Sequence, residues 1–282
     1  MGTLLTDKSW NYYGEKAPYF AIFGQEEYLN SNLTNELKTD VFASGSAFIG
    51  EIFKTIHSRL DPDFHPNTIL DFGCGPGRLT IPLSKYASEV VGMDVSSHML
   101  AEAKENCRRF NVQNAEFVLS DDQLQGLHGR KFDLVFSFIV LQHLNIKRGE
   151  KIFDLLLKSI GDKGIGVLQL TYRDHFFYRT IVNYFRYRIP FLSGLLKIIR
   201  CRIKGREYIY LPPMQMNNYN LNKIFFLLQK SGITEVYSTF TNHHNYLGLM
   251  LYVSKDRLNT PLTDAPILGH GQGDKSPDLP GK

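Results

Sequence analysis

Cysteine is scarce in this chain. Cys74, Cys107 and Cys201 are odd in number, widely separated and without C-x-x-C spacing, which excludes a disulfide framework or a zinc finger and leaves all three expected as free thiols. Long apolar runs are missing too. None approaches the roughly 18 consecutive residues of a membrane span, and the first residues, among them Asp7, Lys8 and Trp10, lack the apolar core of a signal peptide. The expected location is the cytoplasm. With 43% hydrophobic and 21% charged residues the composition is extreme in neither direction, which excludes wholesale disorder and fibrous classes. A chain of 282 residues can bury a sizeable core, as one domain with additions or as two small domains. There is no internal repeat.

What is present is concentrated in one stretch. Asp71-Phe72-Gly73-Cys74-Gly75-Pro76-Gly77 follows the apolar run Thr68-Ile69-Leu70, placing alternating glycines where a buried strand turns into a helix. Glycine admits positive φ and close approach of backbone to ligand, and a helix start offers unpaired N–H groups and a positive dipole end. Such a turn suits a polar or anionic cofactor. The dinucleotide fingerprint G-x-G-x-x-G, counted from Gly73, puts its last glycine at Arg78, where close helix-to-strand packing needs Gly or Ala. The spacing therefore argues against a nicotinamide-dependent oxidoreductase.

The D-x-G-x-G-x-G pattern resembles motif I of the class I, Rossmann-like, S-adenosylmethionine-dependent methyltransferases, and the resemblance continues along the chain. Glu89-Val90-Val91-Gly92-Met93-Asp94 ends in an acid that in that family accepts hydrogen bonds from the cofactor's ribose hydroxyls. Ala115 to Asp122 is similar to the segment that ends in a carboxylate near the adenine, with Asp121 the better match and Asp122 the reserve. Lys131 to Ser137, followed by Phe138 to Leu144, is similar to the region beside the transferred methyl, and Ile160 to Leu170 to the fifth strand and its turn. The resemblance implies an α/β fold: a doubly wound, mostly parallel seven-stranded sheet with helices on both faces and an antiparallel last pair. It implies S-adenosylmethionine as cofactor, with S-adenosylhomocysteine as product. The implied cofactor site comprises Asp71, Gly73, Gly75, Gly77, Asp94, Val95, Met99, Asp121, Asp122 and Ser137.

Additions surround that core, which is expected over 46–171 and 211–255. Residues 1–45 carry Trp10, Tyr12, Tyr13, Tyr19, Phe20, Phe23, Tyr28 and Phe42, too aromatic for a tail, and are read as an extension packing back over the site. Apolar spacing predicts a helix over Ser46 to Leu60. Between residues 172 and 210, nine Lys or Arg face two acids, a net of +7, with ten aromatics interleaved. This is read as a helical insertion after the fifth strand, serving as a lid over the acceptor. Thr234 to Phe240 and Tyr246 to Val253 read as the last strand pair. Residues 256–282, rich in Pro and Gly, read as a disordered tail.

Methyl transfer from a sulfonium is an in-line displacement in which a protein base is optional. His143, after the fourth strand, is the best-placed base, or else a packed histidine capping its helix. His175, His243 and His244 are weaker candidates. Tyr13, Tyr19, His143, Tyr172 and Arg173 are the expected acceptor-side residues. Arg78 either pairs with Asp71 or reaches the cofactor carboxylate. Base N-methyltransferases resemble one another in a D/N/S-P-P-Y/F tetrad where this chain has Ser137-Phe138-Ile139-Val140. Base C5-methylation needs a cysteine near the same strand, and none is there. The paired glutamates of arginine methyltransferases are missing, and Ser137 stands where a metal-assisted enzyme would place a carboxylate, so no metal is expected. The expected activity is methyl transfer to oxygen or nitrogen of a small or medium-sized acceptor, acidic if the basic insertion meets it. The alternatives are an RNA or membrane-surface lipid acceptor reached through 172–210, and a non-catalytic S-adenosylmethionine-binding protein. Oligomeric state is not legible.

Overall fold

The computed structural model describes residues 2–174, 211–212, 214–243 and 246–255. Seven strands form one sheet in the order β3-β2-β1-β4-β5-β7-β6. They are β1 (Thr68–Phe72), β2 (Glu89–Asp94), β3 (Ala115–Leu119), β4 (Phe132–Ser137), β5 (Ile160–Asp174), β6 (Val236–His243) and β7 (Tyr246–Ser254). Strands β1 to β5 pair in parallel, and β7 runs antiparallel between β5 and β6.

Burial explains the strand sequences. On β1, Ile69 joins one buried cluster and its neighbours Leu70 and Phe72 join another, and Leu134 and Val135 on β4 divide likewise. That is the period-two alternation of a sheet covered on both faces. One face is covered by α3 (Asn35–Arg59) through Ile49, Ile52, Phe53 and Ile56. The other is covered by α6 (Ile146–Ser159) through Ile152, Phe153, Leu156 and Leu157, together with α7 (Leu221–Lys230). The remaining α-helices among the described residues are α1 (Gly2–Lys16), α2 (Phe20–Phe23), α4 (Thr80–Leu83) and α5 (Ser97–Arg109). No helix among the described residues is long and apolar enough to cross a membrane.

Several boundaries differ from expectation, among them those of β6, which spans Val236–His243 and not Thr234 to Phe240. Helix α3 begins at Asn35, not Ser46, because the Thr34 hydroxyl accepts from the Leu37 N–H at 3.2 Å and caps it there. A division at residue 45 therefore falls inside a helix. Strand β5 continues to Asp174 by pairing with β7, so Tyr172 and Arg173 belong to the sheet. The rest of the basic stretch, 175–210, lies outside the described residues, as do His175, His244 and the tail 256–282.

Candidate functional site

Two turns at the carboxyl edge of the sheet are tied together by hydrogen bonds. The N–H groups of Gly73 and Cys74 both donate to the Met93 carbonyl, at 2.7 and 3.1 Å, drawing the loop after β1 onto the end of β2. Gly75 N–H then donates to one oxygen of Asp94 at 3.0 Å, and Ser96 N–H to the other at 2.9 Å. Gly73 and Gly75 hold φ of +78° and +53°, a region that a Cβ makes costly. A Cβ at Gly75 would meet no atom within 4 Å, so the backbone there faces open space.

That space opens into a cavity of about 140 Å³. Following the strand order, its floor runs from Ser120 beyond β3, through Asp94 and Val95 beyond β2, over the glycine loop beyond β1, to the segment Phe138–Leu144 beyond β4. Ile139 in that last segment has φ of +58°, a strained conformation for a β-branched residue. Its N–H is held by the Gln169 side chain at 3.1 Å. The next residue, Val140, packs where any Cβ on Gly73 would sit, 2.2 Å from its methyl carbon.

Helix α1 forms the roof. Asp7 and Trp10, three residues apart and therefore on one helical face, both line the cavity. The helix docks through Gly14, whose missing Cβ would lie 2.4 Å from the Ser96 hydroxyl at the start of α5. Arg148 on α6 fastens it, with two nitrogens on the two oxygens of Asp7, at 2.6 and 3.2 Å, and its Nε on Asp122 at 2.6 Å. Asp7→Asn is expected to cost about 1 kcal/mol and to speed amide exchange along α1, more so at low salt, where the wild-type pair is strongest. Unchanged protection of α1 would show that this ion pair does not hold the roof.

His143 sits beneath the roof, its ring 4.9 Å from that of Trp10. Its Nδ1 lies 2.7 Å from the Gln215 carbonyl, so Nδ1 carries the proton and Nε2 is left as an acceptor. Burial depresses its pKa to about 4, against the opposing effect of the Gln215 carbonyl. The unfolded chain, titrating near 6.5, takes up the proton first, so this residue's contribution to stability is lost as pH falls from about 6.5 to about 4, by ~3 kcal/mol at most. Burial raises Asp71 to about 7 and Asp94 to about 6, so these acids favour the fold as pH falls and oppose the histidine. The difference between wild type and His143→Gln, measured by denaturation across pH 4 to 7, isolates it. The wild type should lose more stability than the variant on acidification, and parallel curves would contradict the buried neutral imidazole.

Of the residues expected at the cofactor, Gly73, Gly75, Asp94, Val95 and Met99 line the cavity. The others do not. Asp71 is buried beneath the loop, accepting from the Thr80 hydroxyl at 2.6 Å, and acts as a strut. Gly77 packs on Ala103 of α5. Asp121 is exposed and caps its own turn by accepting from the Gln123 and Gln125 N–H groups, while Asp122 is engaged by Arg148. Ser120, one residue earlier, lines the cavity instead. Ser137 is fully buried under the sheet edge, outside the lining. Among acceptor-side expectations only His143 lines the cavity. Tyr13 is buried with its hydroxyl on the Pro212 carbonyl, and Tyr19 is buried with its hydroxyl on Glu102 at 2.7 Å, so both fix the extension in place. Tyr172 packs on the core and Arg173 is exposed. Phe138, Val140 and Leu144, from the segment expected beside the transferred methyl, supply apolar wall, joined by Ile152 and Ile22, which the sequence did not single out.

Residues 69–164 match the family described as a methyltransferase domain. A 23S rRNA (uracil(1939)-C(5))-methyltransferase, RlmD, of Aeromonas hydrophila is 37% identical over 87 residues, covering 27% of this chain and 20% of that protein. The same enzyme of Xanthomonas oryzae is 35% identical over 109 residues, 34% of this chain and 24% of that protein. The matched stretch is thus about a fifth to a quarter of those relatives' length. Magnesium protoporphyrin IX methyltransferase (ChlM) from Synechocystis PCC 6803, solved with bound SAM, superposes with a TM-score of 0.58 at 17% identity, over 90% of this chain and 97% of that one. Its complex with SAH superposes at 0.54. At that identity the likeness establishes a shared fold.

Proposed function

We propose that this chain, which carries a class I S-adenosylmethionine-dependent methyltransferase domain over residues 69–164, transfers a methyl group to an oxygen or nitrogen of a small acceptor. The observation that carries the reading is one cavity with Asp94 and an open glycine backbone at one end and His143 within an apolar wall at the other. S-adenosylmethionine would supply a methyl on a sulfonium, which the acceptor's lone pair displaces in line as the C–S bond pair passes to sulfur, leaving S-adenosylhomocysteine and releasing the acceptor's proton to water. The carboxylate of Asp94 would accept hydrogen bonds from the ribose hydroxyls, and the open backbone at Gly75 would leave the cofactor room. Trp10 and the apolar residues beyond β4 keep water from the reacting pair. Holding donor and acceptor in register contributes roughly 7 to 11 kcal/mol to lowering the barrier.

His143 is neutral and presents Nε2, so it accepts a hydrogen bond from the acceptor's O–H or N–H and directs the lone pair. With a pKa of about 4 it is a weak base, and orienting the acceptor is its larger contribution. A small acceptor is supported by the roof latched across the cavity. An acidic one was expected from 172–210, most of which lies outside the described residues, whereas the described wall near His143 is apolar. Uracil C5 chemistry, as the names of the RNA-modifying relatives describe it, draws no support from the described thiols. Cys107 is buried, and burial with the nearby Asp94 and Asp71 holds Cys74 well above the usual thiol range, so no thiolate is ready.

The test is transfer of labelled methyl from S-adenosylmethionine by purified protein into cell extract resolved into small-molecule, lipid, RNA and protein fractions. Label in the small-molecule fraction is expected. Label in RNA or lipid would overturn the acceptor class, and S-adenosylmethionine binding without label in any fraction would favour a non-catalytic binder.

A further inference from the structure

Arg78 lines the cavity just past the glycine loop, and its Nε is buried without a hydrogen-bond partner. Its guanidinium lies over the ring of Phe23 in α2, 5.5 Å from the centroid. Its backbone carbonyl is wedged against Gly45 of α3, where a Cβ would come within 2.4 Å. The arginine is therefore held, yet it has no carboxylate within 4 Å among the described residues. Asp71 attracts it but is engaged with Thr80. The cavity's other arginine, Arg148, is neutralised by Asp7 and Asp122. A desolvated cation without a counter-ion is costly, and the cost is relieved when an anion arrives.

Resting on the methyltransferase reading, we propose that Arg78 is the anchor for the carboxylate of the cofactor's methionyl arm. The sulfur of S-adenosylmethionine bears three arms. With the adenosyl arm toward Asp94 at the end of β2 and the methyl facing the segment beyond β4, the third arm would lie over the loop beyond β1. Arg78 is the unpaired cation among the described residues there. Its planar fork matches a carboxylate with two parallel hydrogen bonds. Arg78 thus selects the cofactor with its amino-acid arm intact over adenosine fragments.

The test is calorimetric titration of wild type, Arg78→Gln and Arg78→Lys with two ligands, S-adenosylhomocysteine and 5′-methylthioadenosine. The second keeps the adenosine and thioether but lacks the amino-acid arm. Arg78→Gln is expected to bind S-adenosylhomocysteine about 10- to 100-fold more weakly and methylthioadenosine as the wild type does. Arg78→Lys, which keeps the charge and suits a loop that does not tolerate glutamine, should show a smaller loss confined to the same ligand. Unchanged affinity for S-adenosylhomocysteine in either variant would overturn the assignment and leave Arg78 to an acceptor. An equal loss for both ligands would overturn it in favour of a structural role. A wild type that binds neither ligand would overturn the methyltransferase reading itself.

Discussion

Asp94→Ala is expected to weaken S-adenosylhomocysteine binding by at least about 100-fold, since each charged hydrogen bond to the ribose hydroxyls contributes roughly 1.5 to 3 kcal/mol. The structure adds a second loss. The same carboxylate holds the N–H groups of Gly75 and Ser96, so alanine unties the glycine loop from the start of α5 as it removes the ribose partner. Asp94→Asn keeps one acceptor oxygen and should fall between. Because burial raises Asp94 to about 6, and the charged form is the stronger acceptor, wild-type affinity should decline as pH drops below about 6, with Asp94→Asn flat over that range. Calorimetry at pH 7.5 and pH 5.5 checks both. Wild-type affinity in Asp94→Ala would remove this residue from the site.

Gly73→Ala combines two penalties at one atom. The backbone there is left-handed, at φ +78°, which costs a residue with a Cβ roughly 1 to 2 kcal/mol. The new Cβ would also lie 2.2 Å from Val140. Neither side gives way easily. Gly73 is pinned by its hydrogen bond to the Met93 carbonyl, and Val140 is stiff at χ1 and follows a residue already strained. The expected loss is about 2 to 4 kcal/mol in chemical denaturation, with cofactor affinity reduced because the loop shifts. Gly73→Ala with Val140→Ala removes the clash but not the strain, so it should recover part of the loss. A cost below about 0.5 kcal/mol for the single substitution would mean that the loop is looser than described.

The features that sequence carried to the structure are local ones. The glycine run at Gly73 and Gly75, the acid ending β2 and the alternating apolar strands each follow from a few adjacent residues, because a turn with positive φ or a strand buried on both faces leaves its mark where it occurs. What was missed depends on where a side chain ends up after packing. Asp121 and Ser120 are neighbours, and the acid attracted the assignment by its chemistry, yet it spends its oxygen on its own turn. Asp71 reads like a ligand because it opens the motif, but it supports the loop from below. Tyr13 and Tyr19 sit in the right extension and point their hydroxyls at protein, while Trp10, three residues before Tyr13, reaches the cavity. Arg148 is 141 positions from Asp7, and no local pattern announces their pairing.

The central claim is that the cavity at the carboxyl edge of β1, β2 and β4 holds S-adenosylmethionine. The most direct measurement is titration of the wild-type protein with S-adenosylhomocysteine, in parallel with Asp94→Ala. One saturable site per chain in the wild type, much weakened in the variant, is the predicted result. No binding by a folded wild-type protein, or binding indifferent to Asp94, would contradict it.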